Sequence, residues 1–298
     1  MCSGAPRRST RPKPRVIERQ TGRHPSHPCY RQPAIHRFSD AQAWQEALAR
    51  DCLELIQVGW AVGRSVRLCL AGGNTPKPVY RRLAQLLRPG LLPFDLAEVS
   101  APASWTGTAL PTPRLELLPG DERFVPANPS QLNQTMLLSC FQPLLQSPGC
   151  HWLGWDLSTG PEQACAAMDR ELASREAAAA PLFDICFLGL GSDGHVAGLF
   201  APPTVAGQAP AEDVDRQALF TAQAGPSWQG LAPTEPRQRV SLGLAALRSS
   251  RHIRFLLRAA GKHRACASLL DGRGDGAGVR LLRSLGPQTE SVAAYILD

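Results

Sequence analysis

Phe183-Asp184-Ile185-Cys186-Phe187-Leu188-Gly189-Leu190-Gly191-Ser192-Asp193-Gly194-His195 is the stretch on which the fold turns. Its first eight residues are apolar except Asp184 and Gly189, too few for a stable helix. They predict a strand buried on both faces, as parallel sheets require. The strand feeds a glycine-rich turn that ends on an imidazole, with a carboxylate two positions earlier. In open α/β sheets ligands bind outside the carboxyl ends of the strands, so His195 sits where a general base is useful. Ser192 lies in Gly191-Ser192-Asp193-Gly194, which lacks the Gly-x-Ser-x-Gly spacing of a serine nucleophile. Water activated by His195 is therefore the simpler chemistry.

Working toward the amino terminus, residues 66–70 predict a second buried strand. The turn Gly72-Gly73-Asn74-Thr75-Pro76 follows, then a helix over 77–87. Two glycines allow close backbone approach, while Thr75 and the free N–H groups of a helix start suit a phosphate. A plain strand-to-helix turn reads equally well from these residues, and the Walker spacing is missing. Between these two units, a strand over 115–118 delivers Asp121-Glu122-Arg123 to its carboxyl end. The planar fork of Arg123 could hold a carboxylate, a phosphate or a developing oxyanion; the alternative is a surface ion pair.

The remaining pattern alternates. Ser39-Asp40-Ala41-Gln42 reads as a capping box before an apolar stripe at Trp44, Leu48, Cys52, Leu55 and Gly59. Helices are predicted at 133–145, 161–180 and 262–270, and strands near 151–155, 218–222, 239–244, 252–258 and 292–297. There is no internal repeat. The class is α/β, a doubly wound, mostly parallel sheet flanked by helices in a Rossmann-like arrangement. No G-x-G-x-x-G opens a helix at the first turn, so a dinucleotide is not expected.

Length and charge set the outer limits. The 298 residues suit one catalytic domain over 35–298, with an insertion expected over 95–113, where Ala, Ser, Thr and Pro run without periodicity. The net charge of +7 hints at nucleic acid until it is located. Residues 1–37 hold nine Arg and Lys against Glu18 alone, which leaves −1 for the other 261 residues. Residues 1–34 are also rich in proline and predict a disordered basic tail, so nucleic acid is not an expected partner. No secretory core or membrane span stands out. Nine cysteines without a C-x-x-C pair predict reduced thiols in a cytoplasmic protein with no metal. Oligomeric state is not legible.

Taken together, residues 70–80 (LAGGNTPKPVY), 120–126 (GDERFVP), 183–200 (FDICFLGLGSDGHVAGLF) and 239–247 (RVSLGLAAL), with Lys262 after a strand, resemble the 6-phosphogluconolactonase family. The likeness spans about 35–297 in order. It implies a carboxylic ester hydrolase that opens 6-phosphogluconolactone in the oxidative pentose phosphate pathway, without metal or cofactor. On that resemblance His195 is the general base, Asp193 its acidic partner, and Arg123 the arginine that binds substrate or steadies the oxyanion. Gly72, Gly73, Asn74, Thr75, Asn133, Gly191 and Lys262 would cradle the sugar phosphate. The chain departs from the pattern at Leu132, Ser192, Val196, Gly198, Ala201 and Ala259. An amino-sugar-phosphate deaminase/isomerase is the nearest alternative, but its Asn-Glu-Pro stretch is replaced by AGLFAP at 197–202. A non-catalytic sugar-phosphate-binding protein is the second alternative, against which the base and its partners count.

Overall fold

A computed structural model describes residues 29–87, 114–125, 128–176, 181–200 and 222–298. The expected tail up to residue 28, the 95–113 insertion and most of the strand expected at 218–222 lie outside these residues. Seven strands form one parallel sheet: β1 (Ala34–Phe38), β2 (Val66–Leu70), β3 (Leu115–Pro119), β5 (Cys150–Trp152), β6 (Phe183–Leu188), β9 (Ser250–Arg258) and β10 (Ser291–Leu297). Their spatial order is β1-β10-β9-β6-β2-β3-β5. A small antiparallel sheet adds β4 (Asp121–Arg123), β8 (Gln238–Leu242) and β7 (Ser227–Leu231), in that order.

The central strands are mostly apolar because both faces are covered, and the charges they carry, such as Arg67, Glu116 and Asp184, are paired. In β6, Ile185 and Phe187 enter one core while Cys186 and Leu188 enter the other. The first core lies under α1 (Ala41–Ala61), α2 (Lys77–Leu86) and α3 (Asn133–Leu145). The second lies under α4 (Pro161–Glu176), α6 (His263–Asp271), α7 (Ala277–Ser284) and the small sheet, to which the short α5 (Leu244–Arg248) also packs. Helix α1 follows the predicted stripe at Trp44, Leu48, Cys52 and Gly59, all buried, but Ile56 takes the inward place expected of Leu55, which is half-buried. Its cap is Asp40 rather than Ser39: Asp40 is extended, and its Oδ1 accepts from the Ala43 N–H at 2.7 Å. That position is one residue closer to the helix, where a side-chain oxygen reaches the first free donors.

Residues 29–33, counted with the tail in the sequence, are fastened to the body. The Tyr30 hydroxyl donates to the Leu269 carbonyl, and Arg31 is bound through its N–H to Leu282 O at 3.1 Å and through its guanidinium to Thr289 O. Among the described residues no helix is long and apolar enough to cross a membrane.

The topology decides where a ligand fits. After β2 the chain moves outward to β3 and β5, then returns to the opposite side of β2 with β6 and continues through β9 and β10. The reversal between β2 and β6 leaves a crevice at their carboxyl ends. All strands are parallel, so the loops after β3, β2, β6 and β9 open on one edge, side by side. Those are the loops that carry Asp121, Gly72, His195 and Lys262.

Candidate active site

The loop after β6 turns back on itself. Gly191 N–H donates to the His195 carbonyl at 2.9 Å, and Gly194 N–H donates to the Gly191 carbonyl at 3.1 Å. This tight turn brings the Asp193 side chain onto the imidazole, with His195 Nδ1 2.6 Å from Asp193 Oδ1. The His195 backbone N–H donates to the same oxygen at 3.2 Å. Burial pushes the Asp193 carboxyl up, but the hydrogen bond and charge of His195 outweigh it and hold the group below its usual range. A carboxylate at Nδ1 keeps the proton there and leaves Nε2 free to accept one. Position 191 has no room for a side chain, since a Cβ would land on the His195 ring and the Asp193 carboxylate. The carbonyl of Gly194 also accepts from Gly278 N–H at 3.2 Å, so the first turn of α7 backs the loop.

On its other side the imidazole meets Phe200, ring centroids 4.4 Å apart, and the Arg239 guanidinium lies 6.0 Å from the same phenyl ring. Arg239 is buried and stands opposite Arg123 in the β4–β8 pairing. Asp121 lies two residues along β4, on the same face as Arg123. Burial raises its carboxyl, while the charges of Arg123, Arg239 and His195 oppose that rise. Asn133 closes the ring of contacts: its Nδ2 donates to the Asp121 carbonyl at 3.0 Å and to Asp121 Oδ1 at 3.3 Å. The Asn133 carboxamide occupies the space a Cβ would fill at Gly72, which ties the loop after β2 to the same cluster.

Lys262 reaches in from the loop after β9. Its Nζ donates to Leu190 O at 2.5 Å, at the root of the histidine loop. Arg123 Nη1 donates to Gln131 O at 2.6 Å. The glycine turn after β2 divides. Gly72 abuts Asn133, whereas Asn74 is exposed and faces a groove with Gln45, Lys77 and Arg81. Gly73 takes a positive φ of 89° to make that turn, and Thr75 follows half-buried; among the described residues no contact joins either to His195.

Sequence reasoning gave no role to Asp121, Glu122 or Arg239. Asp121 and Glu122 precede Arg123 in the quoted triplet, so the signal was present but unassigned. Arg239 opens the quoted 239–247 motif, yet only the antiparallel pairing brings it beside Arg123. The alternative of a surface ion pair at 121–123 does not extend to Glu122, which is wholly buried and bonded to backbone N–H groups.

Comparison with known proteins agrees with this layout. The model of the glucosamine-6-phosphate isomerases/6-phosphogluconolactonase family matches residues 39–283. A 6-phosphogluconolactonase of Thermotoga maritima is 32% identical over 193 residues, covering 63% of this chain and 67% of that protein. One from Streptomyces coelicolor is 28% identical over 254 residues, 82% of this chain and 84% of that protein. Across such relatives the matched stretch spans between 48% and 86% of their own length. The three-dimensional structure of a 6-phosphogluconolactonase from Trypanosoma brucei shares the fold, with a TM-score of 0.64 at 24% identity over 90% of this chain and 96% of that one. By a match that takes in every loop of the crevice, this chain belongs to the glucosamine-6-phosphate isomerase/6-phosphogluconolactonase family.

Proposed function

We propose that this protein hydrolyses 6-phospho-D-glucono-1,5-lactone to 6-phosphogluconate, with His195 as the general base. The observation that carries the reading is the His195–Asp193 pair, 2.6 Å apart at the mouth of the crevice, in a chain whose relatives in Thermotoga maritima and Streptomyces coelicolor are 6-phosphogluconolactonases.

The chemistry follows from the free Nε2. A water held there gives its proton to Nε2 as its oxygen adds to the lactone carbonyl, forming a C–O bond and a tetrahedral alkoxide. The imidazolium is steadied by the Asp193 carboxylate, an ion pair with a hydrogen bond. Collapse of the alkoxide breaks the ring C–O bond, and the proton returns from Nε2 to the departing ring oxygen. No metal or cofactor enters this sequence.

Two negative charges need partners, the substrate phosphate and the transient oxyanion. Arg123, Arg239 and Lys262 supply three cations around the crevice, and charge-assisted hydrogen bonds of this kind contribute about 1.5–3 kcal/mol each. Asn133 and the backbone N–H groups near Gly72 add neutral donors. We assign Lys262 and the Gly72 turn to the phosphate, and Arg123 to the lactone end near Asp121. The seven buried free thiols, Cys52 among them, favour a reducing compartment such as the cytoplasm.

The test is a coupled assay on freshly prepared lactone with excess 6-phosphogluconate dehydrogenase, corrected for spontaneous ring opening. Wild type should exceed the blank, and His195→Ala should lose about 10²–10⁴-fold, the usual contribution of a general base. If wild type and His195→Ala both match the blank, the assignment is wrong. Ammonia release from glucosamine 6-phosphate, measured alongside, should stay at background.

A further inference from the structure

Among the described residues Glu122 is the one wholly buried carboxylate of the crevice wall, and the reaction above does not use it. In β4 side chains alternate, so Asp121 and Arg123 share one face and Glu122 takes the other. Its two oxygens are fully engaged: Oε1 accepts from Arg123 N–H and Asn133 N–H, both at 2.7 Å, and Oε2 accepts from Gln134 N–H, also at 2.7 Å. Asn133 and Gln134 open α3, whose own cap residue is Leu132 and offers no side-chain acceptor. A helix start leaves its first N–H groups without partners and carries partial positive charge. Here a strand residue ten positions upstream supplies the missing acceptor and the opposite charge.

The consequence reaches the crevice through the neighbours. The residue that Glu122 fastens at the helix start, Asn133, is the one whose carboxamide donates to Asp121 and packs on Gly72. The other fastened N–H belongs to Arg123. We infer that Glu122 is a positioning residue: its carboxylate locks strand β4 to the first turn of α3 and thereby sets Arg123 and Asn133 against Asp121 and His195. This inference rests on the lactonase reading for its functional consequence, though the lock itself is a property of the fold.

Three donors on two oxygens suit a deprotonated acceptor, so the lock is complete only above the pH at which the Glu122 carboxyl loses its proton, and both measurements below are made there. Burial pushes the Glu122 carboxyl up to about 7, and the bonds from Gln134, Asn133 and Arg123 oppose that rise. An amide in its place would aim an N–H₂ at backbone donors. Glu122→Gln should therefore keep the shape and lose the lock, while Glu122→Asp keeps the charge with a shorter reach and should recover part of it.

Two measurements decide the matter. The first is backbone amide exchange on the unmodified protein. The Asn133 and Gln134 amides should exchange as slowly as core strand amides, although first-turn amides ordinarily exchange fast; rapid exchange at both would overturn the inference whatever the protein catalyses. The second is turnover per folded molecule. Glu122→Gln should lose about 10–100-fold in kcat/KM, the scale expected when a reacting group shifts by a fraction of an ångström to an ångström. Its loss should not multiply with that of Arg123→Ala, because it acts through Arg123 and Asn133. A merely structural role would instead lower the melting temperature and leave kcat and KM of the folded fraction unchanged, and that result overturns the positioning role. Failure of wild type to beat the blank would sink the lactonase reading and leave the exchange result to judge the lock.

Discussion

On the proposed reading His195 serves as a base only if its proton rests on Nδ1, and Asp193 is the group placed to hold it there. The two side chains are both partly open to solvent, so the 2.6 Å contact is a matter of geometry enforced by the turn rather than of deep burial. Asp193→Asn tests the tautomer directly. An asparagine can present its N–H₂ to Nδ1 and move the ring proton to Nε2, which removes the acceptor that water needs. We expect a fall in kcat of about 10²–10⁴-fold with the fold intact, as when other triad carboxylates are converted to amides. Unchanged kcat in a folded Asp193→Asn protein would show that the carboxylate does not set the tautomer. This pair was legible in the sequence because its members are two residues apart in one turn. Arg239 was not, although it stands within the same crevice. Its place depends on antiparallel pairing with a strand more than a hundred residues earlier, and no local spacing encodes that register. Glu122 was given no role for a related reason. A charge after an apolar strand suggests solvent, and only the approach of α3 explains how it is satisfied inside.

Elements with a strong apolar pattern of their own declared themselves, and those without one did not. The stripe of α1 and the apolar runs of β2 and β6 exceed what local ambiguity can blur, so their positions follow from periodicity alone. β1, β4 and β7 have five, three and five residues, and each is held by pairing with a distant partner rather than by its own pattern. β4 is the instructive case, because three consecutive charges or polar groups are a poor strand by propensity and become one only against β8. The joint between the two sheets is Ser241 of β8, buried, whose hydroxyl accepts from Gly198 N–H at 3.0 Å and donates to the Leu242 carbonyl at 2.9 Å. It also lies 3.5 Å from Gly120 O at the end of β3. The small sheet, the main sheet and the segment just past His195 thus meet at one oxygen. Ser241→Ala leaves the Gly198 N–H buried without a partner, which costs about 1–3 kcal/mol. Urea unfolding should show that loss as a lower midpoint with an unchanged slope. A midpoint equal to wild type would mean that the hydroxyl carries no such bond in solution.

The carboxyl ends of the main sheet hold the proposed site, and ion pairs also run along its strands and flanking helices. Arg64 pairs with Asp184, Arg67 with Glu116 at 2.7 Å, and Arg254 with Asp51 at 2.5 Å. Among them His252 is half-buried and bonded to Ser291 Oγ at 2.9 Å, and burial, then Arg254, lowers its imidazole to about 4. An unfolded histidine titrates near 6.5. Below that pH the unfolded chain binds a proton that the folded chain refuses, so the stability His252 contributes is full above about 6.5 and drains as pH falls toward 4. Glu122 works in the opposite sense. Its folded carboxyl titrates at about 7, above the unfolded value, so between those two values the folded state holds the extra proton and gains stability as pH falls. Over the shared window near pH 5 to 6.5 one gain offsets one loss, each with a slope of up to about 1.4 kcal/mol per pH unit. Replacing His252 by glutamine removes the loss and leaves the gain. Melting temperatures taken from pH 7.5 down to 5 should therefore diverge, with His252→Gln rising relative to wild type toward the acid side. Parallel curves for the two proteins would show that His252 is protonated equally in the folded and unfolded states, and that the packing between β9 and β10 does not exclude water from it.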